Sequence, residues 1–219
     1  MATFITRIIS RFKAPALPHA ALNYTSNDED QFRNILRIYF NQIDNALGFF
    51  LGEMGGKFIN FPYGAFSSDQ DQSTTANTAT LMTLNTTDFA NGVSINSSKI
   101  TVENGGLYNL QFSTQFQNTD NQIQDISIWL RQNGVDIPGS TGFVSIPARK
   151  SAAAGEEAHE IIGWNYYVEM NENDYIEIYW STTLASVTIQ NYAASTGPVR
   201  PSTQSVVATL SFVSSLPTA

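Results

Sequence analysis

Between residues 36 and 50 the apolar positions Leu36, Phe40, Ile43, Leu47 and Phe50 recur at intervals of 4, 3, 4 and 3. That spacing is the a/d seam of a helix that meets other helices. Ile35, Tyr39 and Ala46 widen the seam on one flank, while Asn41, Gln42, Asp44 and Asn45 turn away from it. Upstream, SNDEDQ is a helix start. Ser26 or Asn27 caps it, and Asp28, Glu29 and Asp30 sit where the helix dipole favours negative charge. The predicted helix runs to about Leu51, where Gly52, Gly55 and Gly56 stop it. The same spacing also suits a lone helix laid on the body. The width of the apolar face, and its position ahead of the β region, favour self-association. A bundle of three would bury both seam and flank.

From residue 79 the period changes to two. TATLMTL, FANGVSI and KITV are short strand-like runs, with Asn91-Gly92 as a turn dipeptide. In LYNLQFSTQFQ, Tyr108, Leu110, Phe112 and Phe116 share one face, with Thr114 at a gap; Leu107, Asn109, Gln111, Ser113 and Gln115 share the other. DISIWLRQNG sets Ile126, Ile128 and Leu130 against Ser127, Trp129 and Arg131, and closes on Asn133-Gly134. HEIIGWNYYVEM, DYIEIYW, ASVTIQNYA and QSVVATLSFV complete eight to ten short strands with no helix between them. The pattern predicts a mainly β fold, an antiparallel jelly-roll sandwich preceded by an extended arm and one α-helix. The expected division is an extended basic arm over 1–27, the helix over 28–52, a linker with a first strand over 53–78, and the jelly-roll head over 79–219.

Composition sharpens this. Of 219 residues 42% are hydrophobic, so a real core is available, but only 14% are charged against roughly 25% in an ordinary domain. The net charge of −8 is uneven. Arg7, Arg11 and Lys13 lie in an N-terminal stretch without an acid, an anchoring arm for an acidic partner. From residue 58 onward 14 acids face 5 basic residues. Such a body argues against nucleic acid, whose phosphates need clustered Lys and Arg. No apolar run approaches the roughly 20 residues of a membrane span, so no membrane insertion is expected. The N-terminus lacks the continuous apolar stretch of a secretion signal. With no cysteine, disulfides and thiolate chemistry are excluded.

A search for catalysis returns little. The two histidines are His19, in the Pro-containing arm, and His159. HEIIG begins like the helical zinc motif HExxH, but Gly163 stands where the second ligand belongs, and the stretch reads as strand. The acid groups Asp69/Asp71, Asp120/Asp125 and Glu169/Glu172/Asp174 lack the calcium-loop spacing. Trp129, Trp164 and Trp180 fit core and subunit interface better than a sugar platform. No catalytic, cofactor-binding or metal-binding residue is expected, and no cofactor.

The β segments NGGLYNLQFSTQF, ISIWLRQNGVDI, VEMNENDYIEIYW and SVVATLSFV resemble, in order and spacing over about residues 62–213, the complement C1q globular head family, which includes the tumour-necrosis-factor fold. The resemblance implies a ten-stranded jelly roll that forms compact trimers, with FPYGAF as its first strand. A second resemblance lies upstream. LRIYFNQIDN is similar, at Leu36, Arg37, Tyr39, Phe40, Asn41, Gln42, Asp44 and Asn45, to an "LRxYFNQxDN" leader on virion proteins of marine bacteriophages, especially those of cyanobacteria. The chain departs from collagen-bearing animal relatives in having no Gly-x-y repeat.

Together these imply a bacteriophage virion surface protein rather than an enzyme: a homotrimeric short fibre or spike, its seam formed by Leu36, Phe40, Ile43, Leu47 and Phe50. The expected partners are other virion proteins, contacted through residues 1–52, and a host surface glycan or protein met by an outward β head. A capsid decoration protein is the alternative, and a virion-associated glycan-active enzyme a more distant one.

Overall fold

A computed structural model describes residues 15–17, 23, 25–51, 61–153 and 156–216. The chain forms two compact units, divided between Asn60 and Phe61. The basic arm with Arg7, Arg11 and Lys13, and the glycines expected to stop the helix, lie outside the described residues.

The first unit contains α1, Ser26–Leu51, with Asp28 and Glu29 in its first turn. The cap is Thr25 rather than Ser26 or Asn27: its Oγ1 accepts the Asp28 amide at 3.3 Å. Thr25 wins because its hydroxyl sits three residues before an otherwise unpaired amide, while Ser26 and Asn27 already lie inside the first turn. Arg33 reaches back one turn to Glu29 at 3.5 Å. At about 1.5 Å per residue, the 26-residue helix is about 39 Å long.

The second unit is all β. In chain order its strands are β1 Tyr63–Ser68, β2 Thr80–Leu81, β3 Thr86–Asn91, β4 Val93–Asn96, β5 Lys99–Val102, β6 Gly106–Asn118, β7 Gln124–Gln132, β8 Val135–Asp136, β9 Gly142–Ile146, β10 Ala158–Met170, β11 Tyr175–Thr182, β12 Val187–Ile189, β13 Ser195–Thr196, β14 Val199–Arg200 and β15 Val206–Ser214. One sheet runs β10-β6-β15-β1-β3, with β12 added to β6. The second runs β4-β5-β11-β7-β8, with β2 added to β11 and β9 to β7. All described pairings between these strands are antiparallel. Reduced to its eight principal strands, the order is β10-β6-β15-β1 over β5-β11-β7-β9. The first, third, sixth and eighth share one sheet and the second, fourth, fifth and seventh the other. That is jelly-roll connectivity.

The core follows the period-two patterns. Tyr108, Leu110, Phe112, Thr114 and Phe116 of β6 are buried, as are Ile126, Ile128 and Leu130 of β7 and Ile176, Ile178 and Trp180 of β11. Thr114 fills the polar gap by donating its hydroxyl to the Ser205 carbonyl at 3.3 Å. Phe116 meets Trp180 edge-on, with ring centroids 5.5 Å apart.

Three expectations are revised. The β unit begins at Phe61, not 79, because β1 lies between β15 and β3. The stretch expected to link helix and head is partly tied down: Gln72 donates its amide to the Thr83 carbonyl at 3.1 Å and accepts the Thr83 amide at 2.7 Å. Asn91-Gly92 is a corner rather than a hairpin turn. It carries the chain from β3 in one sheet to β4 in the other, with Gly92 at φ +63°. The tight turn nearby is Ser97-Ser98, at φ 52° and 63°, between β4 and β5. Asn133-Gly134, at φ 51° and 81°, does close a hairpin, joining β7 to β8.

Gly163 is the tightest point of the ladder between β6 and β10. A Cβ there would lie 2.2 Å from the Phe112 carbonyl oxygen and 3.0 Å from Ser113 Cα. Backbone cannot yield as a side-chain tip can, so Gly163→Ala should cost about 3 kcal/mol, the upper end for overpacking. Gly48, with open space around its Cα, lies inside α1. Gly48→Ala should raise the stability of the helix by up to about 1 kcal/mol. Denaturant unfolding followed separately by tryptophan fluorescence and by helical circular dichroism checks both signs.

Candidate functional site

The described surface offers two kinds of candidate: apolar faces fit for assembly and polar clusters fit for ligands. The assembly face of α1 is the seam. Leu36, Phe40, Ile43, Leu47 and Phe50 all fall within the helix. Phe40 and Leu47 are 57% and 49% exposed, and Leu36 and Ile43 are half-buried.

A second apolar face lies on the outside of the β10-β6-β15-β1-β3 sheet. Strand alternation turns Ile161, Tyr167, Val207, Val213, Tyr63 and Phe89 outward, and all six are exposed. Between them stand Asn109, Gln111, Ser113, Gln115, Asn165, Thr209 and Ser211, none of which carries charge. The charges on this face stand towards its margins: Glu169 follows Tyr167 in the outward alternation of β10, and Asp88 of β3 accepts the Ser67 hydroxyl at 3.2 Å. Exposed apolar side chains around a polar centre without charge suit an interaction site.

The outer face of the other sheet is different in character. Across the Asn133-Gly134 hairpin, Arg131 pairs with Asp136. Asp136 Oδ1 accepts Arg131 Nε–H and Trp129 Nε1–H, each at 2.8 Å. The Arg131 guanidinium lies over the Tyr179 ring, 3.9 Å from its centroid. Nearby, Lys99 lies 4.3 Å over the Tyr175 ring. The hydrogen bond from Arg131, then that from Trp129, hold the Asp136 carboxyl below its ordinary value of 3.8. The three tryptophans therefore divide: Trp180 is in the core and Trp164 packs against Phe112 with centroids 4.7 Å apart, while Trp129 faces outward.

The residues weighed for chemistry do not converge. His159 is on β10, a strand, so the helix required by the zinc motif is missing, and Gly163 serves the ladder. His159 Nδ1 lies 2.9 Å from Tyr192 Oη. Burial, then the charges of Asp71 and Glu157, push the Tyr192 hydroxyl up to about 12. Asp69 accepts from Asn85, Asp120 from Gln124, Asp125 from Ser145, and Asp174 from Asn133 and Gln132. These acids tie loops and strands rather than face one another. Among the described residues no group of three or more His, Asp or Glu side chains could hold a metal ion, and no helix is long and apolar enough to cross a membrane. The Arg131–Asp136 pair was the residue set missed in the sequence. The Asn-Gly hairpin signal sets its register and could have found it.

No model of a known protein family matches the sequence, and no curated protein matches it.

The Trp129–Asp136–Arg131 arrangement makes a pH prediction. The Trp129 indole N–H resonance should shift as Asp136 gains a proton, with a midpoint below 3.8 because the folded carboxyl is depressed. In Arg131→Gln the midpoint should rise towards the ordinary value. A nuclear magnetic resonance titration of the labelled indoles reads both.

Proposed function

We propose that the chain is a structural protein of a bacteriophage particle surface. In this reading it is a homotrimeric short fibre or spike, attached through its N-terminal arm, with the β head outward to meet the host surface. The observation that carries the trimer is the apolar seam of α1, whose Phe40 and Leu47 are more exposed than a stable monomer has reason to keep. The outer face of the β10-β6-β15-β1-β3 sheet supports the same reading, since its apolar side chains and charge-free centre give the head a second surface suited to a copy of itself. The likeness of Leu36 to Asn45 to the marine phage leader supports the viral origin.

Burying an unpaired carboxylate in an apolar seam is costly, and three copies multiply the cost. Leu36→Asp or Ile43→Asp should therefore weaken trimer association by about a hundredfold or more, equivalent to about 3 kcal/mol. Sedimentation of each variant beside the parent measures this. A trimer of undiminished strength in both would remove the seam from the account.

A further inference from the structure

The outer face of the β4-β5-β11-β7-β8 sheet carries a row that assembly does not explain. Leu81 of β2 lies opposite Tyr179 of β11, and Tyr179 opposite Trp129 of β7. Phe143 of β9 lies opposite Ser127, one position along the same face from Trp129, and is 69% exposed. Four adjacent strands thus contribute one apolar side chain each. At about 4.8 Å between strands, the row is about 14 Å long. The Trp129 and Tyr179 rings are 5.9 Å apart and tilted by 30°, close to a common floor.

One edge of this floor is polar and already ordered. Asp136 Oδ1 is occupied by Trp129 and Arg131, while its side chain remains 59% exposed in the Arg131 pair. The arrangement therefore presents the second carboxylate oxygen, an acceptor, beside the terminal N–H groups of a guanidinium, donors, against aromatic rings. Their mutual bonds fix these side chains before any ligand arrives, which lowers the ordering cost of binding.

A pyranose ring matches this combination. Its C–H face is apolar and lies flat on aromatic rings. Its equatorial hydroxyls both donate and accept at the ring edge. We infer that Trp129 and Phe143, flanked by Leu81 and by Tyr179 under its Arg131 guanidinium, form with the Arg131–Asp136 pair a binding site for a neutral glycan. Neutral is specified because Arg131 lies between Asp136 and Glu177, its partners on β8 and β11, which leaves no uncompensated positive charge for an acidic sugar. A protein partner fits less well. An aromatic side chain buries about 150–250 Å² in all, so three partly covered rings supply well under the about 800 Å² per partner of a stable protein interface. The inference rests on the reading of the head as an outward-facing adhesive module, but its test is independent of the chain's oligomeric mass.

Saturation-transfer nuclear magnetic resonance on the full chain, with maltotriose, cellotriose and chitotriose as probes, is the experiment. Aromatic stacking tolerates changes of sugar stereochemistry, so at least one probe at about 10 mM, in the range of millimolar affinity, should take up saturation. Trp129→Ala should abolish the signal. The exposed variants Phe143→Ala and Asp136→Asn, which leave the core untouched, should weaken binding by about tenfold, equivalent to about 1.4 kcal/mol. Sedimentation of the same samples separates loss of the site from loss of assembly. No saturation with any probe, or saturation unchanged by all three substitutions, would overturn the inference.

Discussion

At Gly163 two strands come so close that only a hydrogen atom fits between them. Around that point β6 and β10 pair over 13 residues, from Gly106 opposite Met170 to Asn118 opposite Ala158. Much of the head is hung on this ladder. On its other edge β6 holds β15 and β12, and β15 holds β1. The inward face of β6 supplies Tyr108, Leu110, Phe112 and Phe116 to the core. The residue that spoils a zinc motif in the sequence is thus the one that lets β10 pair closely with β6.

The same ladder sorts the two outer faces. On the β6–β10 side, alternation leaves amides and hydroxyls in the middle and apolar side chains around them, with Asp88 and Glu169 towards the margins. On the opposite side it leaves aromatic rings beside an ion pair. A centre without charge can be desolvated against a copy of itself at little electrostatic cost. A face with a fixed carboxylate and guanidinium retains polar groups that favour a hydroxyl-bearing ligand or water. Each aromatic or aliphatic side chain taken from water returns roughly 25 cal/mol per Å². The seam of α1 and the β6–β10 sheet face are where the chain has most to gain from self-association.

Much of this was legible in the sequence, and the failures have physical causes. β6 and β7 were readable because one face is buried and the other is wet, which writes a clean period of two. β10 was readable as a strand but not by face, since Ile161 and Tyr167 are exposed while Ile162 and Val168 are buried. β1 hides because Ser67 and Ser68 are buried, so hydrophobicity alone does not mark it. Only the resemblance to C1q heads pointed to a strand at FPYGAF. Asn91-Gly92 has the chemistry of a hairpin, but the choice between hairpin and corner is made by which sheet the next strand joins. Similarly, Trp129 looked like Trp164 and Trp180 by type. The alternation of β7 separates it, setting Trp129 with Ser127 and Arg131 on the face opposite the buried Ile126, Ile128 and Leu130.

The central claim is that three chains assemble through surfaces that the single chain leaves open. The mass of the purified full-length chain in solution, by light scattering, tests it most directly. The account predicts about 72 kDa, three times the 24.1 kDa chain, holding on dilution through the micromolar range. A mass of 24.1 kDa across that range would contradict it.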